Sequence, residues 1–354
     1  MQYGTSALES FTAECYSNFM ITLTGATGHL GQAILRQLDS SGDEVSVVIR
    51  DGSDTSLLEG HTNSIYNAPL ENKKALVNAF KHSDTVIHSA AMIDIRKGFK
   101  KQMWKVNVEG TKNVLEACIE TGVKKLIYIS SIEAFDLKHT KRRPVREDFA
   151  LAEDSAVMEY GETKAAATKM IIAAGMRGDI NTVSIAPTGI IGPWDFKYSL
   201  FTSLVQDVLK GKTLSVVPGG FDYVDVRDVA GAVIAAIDKG RSGELYLVSG
   251  EYATINEIYD ILEKVSGTSH RRISYPLWLI KPAAATIDLM SRIFNFKPIF
   301  TSGSIDILQT NALIDSAKAA EELGFKARPI EDSLKDMVNW LSKDVAINPE
   351  PLFT

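Results

Sequence analysis

The sequence predicts an α/β fold: a doubly wound parallel sheet with a smaller, discontinuous C-terminal lobe. Three observations predict it. From residue 20 to residue 185, short apolar runs of strand length alternate with stretches of helical spacing. That alternation belongs to a parallel sheet covered by helices on both faces. A glycine-rich turn, Thr24-Gly25-Ala26-Thr27-Gly28-His29-Leu30-Gly31, joins the first such run to the first helix. After Pro187 the alternation loosens into glycine and proline punctuation and mixed helices, and a compact strand-then-helix pattern returns only at 223–237.

The elements follow in order. Residues 20–23 read as a buried strand and 30–38 as the helix after the glycine turn. Residues 44–49 carry VSVVI at the heart of a second strand. A helix is expected over 73–80 and a clear strand over 85–88. In 103–120 the apolar residues Val106, Val108, Val114, Leu115, Ala117 and Cys118 recur at helical spacing. Residues 126–129 form a β-rich strand after Gly122, 160–174 an alanine-rich helix, and 182–185 a further strand. The segment 223–237 is expected to rejoin the first lobe. The expected division is therefore an N-terminal arm over 1–19, a first lobe over 20–186 and 223–248, and a second lobe over 187–222 and 249–354.

A chain of 354 residues suits two packed lobes. Hydrophobic residues make up 45% and charged residues 23%, ordinary globular usage. A formal charge of -6 argues against nucleic acid as a partner, since phosphate binding needs a basic face. Two cysteines, Cys15 and Cys118, are too few for a disulfide framework and point to a reducing, cytoplasmic setting. Cys118 sits in an apolar helical run and reads as a small buried thiol. No apolar run reaches membrane-spanning length, so no stable membrane insertion is expected. The nearest approach, PLWLIKPAAATIDLM over 276–290, is interrupted by Lys281, Pro282 and Asp288. It reads as a helix lining the second lobe with Pro282 in its first turn; contact with a membrane surface is the alternative. Residues 1–19 lack a basic start and a long apolar core, and read as an added arm rather than a secretory signal.

The glycine turn has a chemical reading. A pyrophosphate needs close backbone, which a side chain would block. Gly25 and Gly28 supply the turn and the access, and Gly31 lets the helix pack. The helix N-terminus then offers free N–H groups and a partial positive charge. Position between a strand and a helix is the context that supports a Rossmann dinucleotide site. The second strand ends at Arg50, which would face the adenosine ribose. An arginine there can pair with a 2′-phosphate and favours NADP. Asp51 follows at once, and NAD stays open.

Tyr160 and Lys164 stand four apart on one helix and share a face. A tyrosine is a poor acid or base near neutrality, and an ammonium beside it stabilises the phenolate. A preceding strand ends in Ser130-Ser131, where a hydroxyl can donate to a substrate carbonyl. With TGATGHLG, His88-Ser89-Ala90-Ala91, Asn107-Val108-Glu109-Gly110-Thr111, Gly192-Pro193 and Tyr223-Val224-Asp225-Val226-Arg227-Asp228-Val229-Ala230, the ordered set runs from about residue 20 to 340. It resembles the extended short-chain dehydrogenases/reductases of the NAD(P)-dependent epimerase/dehydratase superfamily. It is most similar to the group holding dihydroflavonol reductases and 3β-hydroxysteroid dehydrogenases.

The resemblance implies roles by position. Ser131 would polarise the carbonyl, Tyr160 would be the acid/base, and Lys164 would hold the ribose hydroxyls and lower the tyrosine pKa. Gly25, Thr27, Gly28, His29, Leu30 and Gly31 would hold the cofactor together with Arg50. Leu70, Ser89, Ala90 and Ala91 would lie on the adenosine side, and Pro187 and Thr188 near the nicotinamide. Asn107 reads more plainly as a helix–core polar contact. The resemblance also implies a homodimer through the helices over 103–120 and 160–174.

The chain departs from the family pattern in several places. Pro69 precedes Leu70 where relatives often carry an aspartate. Ala186 stands where many carry an arginine. Thr188-Gly189 replaces the asparagine common in sugar-nucleotide members. Ile132-Glu133 keeps only half of the acid/base pair that dehydratases use, and Asp136 stands where flavonoid reductases carry an asparagine. The basic run over 138–146 reads as a solvated loop, and Trp194 and Phe221 as cleft or core residues. The six histidines show no ligand spacing, so no metal is expected. The leading expectation is an NAD(P)-dependent reductase of a carbonyl, or oxidant of the alcohol, on a small or medium apolar molecule. A sugar-nucleotide epimerase with retained NAD and a non-catalytic dinucleotide sensor are the alternatives.

Overall fold

The computed structural model describes residues 19–140, 143–152, 154, 156–294, 301–310 and 313–347. The expected arm over 1–19 lies outside the described residues except for Phe19, which packs against the core; Cys15 falls there too.

The first half alternates as the sequence predicts. In chain order come β1 (Met20–Thr24), α1 (His29–Ser41), β2 (Glu44–Ile49), β3 (Ser64–Asn67), α2 (Lys73–Phe80) and β4 (Thr85–His88). There follow α3 (Lys100–Trp104), a π-helical turn (Lys105–Gly110), α4 (Thr111–Thr121), β5 (Lys125–Ile129), α5 (Glu159–Arg177) and β6 (Asn181–Pro187). The helix expected over 103–120 is thus continuous in direction but widened in its middle by the π-turn, a feature that often marks a functional site. β3 escapes the apolar pattern because it is an edge strand with three of its four residues exposed.

The second half holds β7 (Gly189–Ile191), α6 (Leu200–Leu209), β8 (Leu214–Val216), β9 (Gly220–Asp225), α7 (Val226–Lys239) and β10 (Glu244–Val248). It continues with β11 (Glu251–Thr254), α8 (Ile255–Ser266), β12 (Arg272–Ser274), α9 (Leu277–Phe294), α10 (Ser302–Ile307), α11 (Ala317–Leu323) and α12 (Ile330–Ile347).

Seven strands form one sheet in the order β10-β6-β5-β4-β1-β2-β3, and every pair in it is parallel. Both faces are covered, as a parallel sheet requires. Residues of α1 and α7 fill the core on one face; those of α2, α4 and α5 fill the other. The strand order reverses between β1 and β4, and ligands of such sheets bind at that reversal, beyond the carboxyl ends of the strands.

The strand and the helix of the 223–237 segment go separate ways. β9 pairs with β7 and β11 in a three-stranded sheet, while α7 packs on α1. A second core gathers α6, α8, β8 and α12 through Val205, Ile258, Leu262, Leu334 and Leu341. α9 starts earlier than expected, at Leu277. Pro282 therefore lies inside the helix rather than in its first turn, because Leu279 N and Ile280 N already close a turn on Pro276 O at 3.0 and 3.2 Å. Among the described residues, no helix is long and apolar enough to cross a membrane.

Candidate active site

The phosphate turn sits at the strand-order reversal. Gly25 holds φ +78°, and a Cβ there would lie 2.6 Å from Ala90 N. Only glycine lets the turn come this close to the end of β4. A Cβ on Gly31 would meet Gly25 O at 2.1 Å, so Gly31 seats α1 on the turn itself. Gly28 has an ordinary φ of -89°; it caps α1 with no side-chain hydrogen bond, and the first turn of α1 carries no acidic residue. The amides at this end are left for an anion, so the turn fits a dinucleotide pyrophosphate. Leu30 is buried in the core under the turn.

The other expected cofactor contacts surround it. Ser89 N donates to Thr24 O at 3.2 Å and Ala90 N to Thr24 Oγ1 at 3.3 Å, while Ala91 is exposed. His88 bridges Thr24 Oγ1 at 2.7 Å and Thr111 Oγ1 at 3.0 Å. Burial, with Lys164 nearby, pulls its pKa down to about 3; it is a neutral strut. Leu70 packs under Gly110, and its carbonyl accepts from Asn113. Pro187 ends β6 opposite Val248, and Thr188 N donates to Val248 O at 3.1 Å. Arg50 is exposed just past the end of β2. Asp51 accepts a short hydrogen bond from Asn67 Nδ2, which engages it toward β3. His29 Nε2 meets Pro193 O at 2.9 Å; burial lowers its pKa, with Asp195 opposing.

Ser131, Tyr160 and Lys164 come together beyond β5. Ser130 and Ser131 separate cleanly: Ser130 Oγ is locked to Thr168 Oγ1 at 2.6 Å in the core, whereas Ser131 opens the next turn and accepts from Glu133 N at 3.2 Å. Tyr160 lies in the first turn of α5, buried. Burial and the Glu133 carboxyl raise its pKa, and the Ser131 hydroxyl pulls it back down. Lys164, 2% exposed, donates to Ile129 O and stands 4.4 Å from the centre of the Tyr128 ring. Burial brings its pKa down to about 7. The groups acting on Tyr160 here are thus Glu133 and Ser131, while the ammonium expected to lower its pKa points at a carbonyl and a ring face.

Two side chains matter more than the sequence suggested. Glu133 appeared only as half of a missing pair. Its Oε2 is buried without a hydrogen-bond partner, and burial pushes its pKa up to about 7. Lys197 carried no motif at all, yet it reaches Thr27 Oγ1 at 3.2 Å. Asn107 is the polar contact expected of it: it joins Met92 N and O at 2.8 and 2.9 Å and Thr163 Oγ1 at 3.0 Å, tying the π-turn to α5. Cys118 is buried, with its thiol pKa raised by burial.

A parallel sheet with a phosphate turn at its order reversal and a Ser–Tyr–Lys set beside it defines an enzyme of NAD(P)-dependent oxidoreductase chemistry. Residues 21–249 match the family model described as the NAD dependent epimerase/dehydratase family, and the chain belongs to that family. It is 32% identical to sterol demethylase protein B of Methylococcus capsulatus, over 91% of this chain and 98% of that one. It is 28% identical to the decarboxylating sterol-4-alpha-carboxylate 3-dehydrogenase of Bos taurus, over 89% and 90%. The solved structure of gox2253 superposes with a TM-score of 0.80 at 26% identity, covering 92% of this chain and 99% of that one.

Proposed function

We propose that this protein interconverts a ring secondary alcohol and its ketone on an apolar, sterol-like molecule, with NADP favoured over NAD. The observation that carries the reading is the juxtaposition of Ser131 and Tyr160 beyond the carboxyl end of β5, at the same end of the parallel sheet as the phosphate turn. The names of the two sterol relatives support the substrate class, and Arg50 past the end of β2 supports NADP. When bound, the cofactor supplies the hydride acceptor or donor at the carbinol carbon.

The chain's own residues handle the oxygen. Ser131 donates to the substrate oxygen and orients it. Tyr160 takes the hydroxyl proton in oxidation and returns it in reduction. Lys164 holds the ribose hydroxyls and, once turned from Ile129 O toward them, stabilises the phenolate by charge. Burial of Tyr160 raises its pKa, so the phenolate needs that cation beside it at the moment of transfer. In this reading residues 20–186 and 223–248 bind the dinucleotide, 187–222 and 249–354 shape the substrate site, and the active unit is a cytoplasmic homodimer.

The test is turnover on a panel of sterol-like and small ring alcohols and ketones with both nicotinamide cofactors, followed by absorbance. Tyr160→Phe keeps the ring and removes the proton-carrying oxygen. The loss in kcat should be about 10²–10⁴-fold, with dinucleotide affinity nearly unchanged. Parental turnover by Tyr160→Phe would mean that another group moves the proton.

A further inference from the structure

Between β7 and α6 the chain runs back along α1, and this loop is held at several points. Trp194 and Tyr198 hold φ of 74° and 48°, the left-handed region that side chains other than glycine rarely adopt. Asp195, itself 2% exposed, fastens the loop: its Oδ2 accepts from Ser199 N at 2.7 Å and from Thr202 Oγ1 at 2.6 Å. Tyr198 N closes on Asp195 O at 3.1 Å. The Trp194 ring lies under the Arg36 guanidinium of α1, 5.5 Å from its centre. These fixings carry Lys197 over the phosphate turn, where its Nζ donates to Thr27 Oγ1 at 3.2 Å.

Arg50 is the second cation there. β2 lies beside β1 in register, Val48 opposite Thr24, so the residue just past β2 flanks the turn that follows β1. Burial and then repulsion from Arg50 lower the Lys197 pKa, with Asp195 pulling the other way. Asp195 spends its carboxylate on Ser199 and Thr202, and Asp51 is engaged by Asn67. Lys197 thus reaches the Thr27 hydroxyl and Arg50 flanks the same turn from the end of β2, while the neighbouring carboxylates are turned to other partners, an arrangement that a dianion would relieve.

We propose that Lys197, Arg50 and Thr27 form a site for the 2′-phosphate of NADP, with Lys197 reaching it from a loop outside the first βαβ unit. The position favours this phosphate over the pyrophosphate. The pyrophosphate belongs to the amides at the start of α1, whereas the end of β2 faces the adenosine ribose. The inference rests on the dinucleotide reading above and deepens it. It also explains why the loop is fastened where it is. With His29 on Pro193 O, a bound 2′-phosphate would pin the loop to the phosphate turn at two points.

Fluorescence or calorimetric titration of the full chain with NADP+, NAD+ and 2′,5′-ADP tests it. Lys197→Ala should weaken NADP+ and 2′,5′-ADP by about 10–100-fold, the value of a charge-assisted contact. NAD+ should change less than about twofold, since the lost contact is made only to the extra phosphate. Lys197→Arg should restore most of the affinity. Equal weakening of NAD+ and NADP+ would assign Lys197 to the pyrophosphate and overturn the proposal. A parental preference for NADP+ that survives Lys197→Ala but not Arg50→Ala would overturn the role of Lys197 alone. Equal parental affinities would instead remove the NADP preference itself.

Discussion

Glu133 places a titratable carboxyl against the phenol of Tyr160, and its state follows from where it is buried. Its Oε2 is buried with no partner, so at that oxygen the charged form loses water and gains no hydrogen bond in exchange. With the pKa pushed up to about 7, the folded state holds this proton more tightly than the unfolded chain does. The stabilisation is complete below the ordinary glutamate range and fades as pH rises through about 7. Ionising Glu133 in place costs on the order of 3 kcal/mol by linkage. Glu133→Gln keeps the shape without the charge. Its melting temperature should match the parent near pH 4 and exceed it by a few degrees near pH 8. A difference between the two that stays constant across pH would show that Glu133 finds a partner in solution. Sequence could flag the residue but not this state: Ile132-Glu133 was visible as half of a pair, whereas burial of a carboxyl without a partner depends on how α5 closes over the turn. The meeting of Ser131 with Tyr160 was legible because each rides on an element whose end is marked locally, whereas the turn of Lys164 toward Ile129 O was not. Lys197 was not, because its approach to Thr27 spans 170 positions.

Packing of α5 against the turn after β5 sets the distance between Tyr160 and Ser131, and Gly161 is where the two elements touch. A Cβ on Gly161 would lie 2.3 Å from Glu133 O and 2.9 Å from Ala156 Cβ. The first of these is backbone and cannot swing away. Gly161→Ala should push the start of α5 outward, costing about 1–3 kcal/mol of stability as an overpacked contact does. The expected result is a kcat at least about tenfold lower with the affinity for dinucleotide far less affected, since the phosphate turn lies on a different element. A melting curve and a titration alongside turnover separate the two effects; parental turnover would show that α5 can shift without disturbing the phenol. At this scale the sequence was most legible where a short run is buried nearly throughout, as in β1, β2 and β4, or where buried positions recur at helical spacing, as in α5. It was least legible at β3, whose exposed residues leave no apolar signature, and at the π-turn. There Asn107 accepts from Met92 N and donates to Met92 O and Thr163 Oγ1, contacts that periodicity does not encode.

At the scale of the whole molecule the exposed apolar surface bears on how copies of the chain meet. The family resemblance implies pairing through α3–α4 and α5, and that surface offers Trp104 at 37% exposure and Ile119 at 43%. Around them α4 is laced with ion pairs inside the chain, Lys73 to Glu116 at 3.1 Å and to Glu120 at 3.3 Å. Exposed pairs of this kind contribute little to stability and are easily re-formed across a contact. α9 presents a different surface, with Trp278 77%, Ile293 64% and Phe294 65% exposed. The two candidates are far enough apart in sequence and packing to be tested separately. Light scattering at micromolar concentration should report a dimer. Trp104→Glu combined with Ile119→Lys should yield a monomer with little change in melting temperature, because both side chains already face solvent within one chain and burying a charge at a contact opposes association. Trp278→Gln combined with Phe294→Gln should leave the dimer intact. The reverse pattern, a monomer from the α9 pair alone, would move the contact to α9 and leave α4 and α5 as ordinary solvent-facing helices.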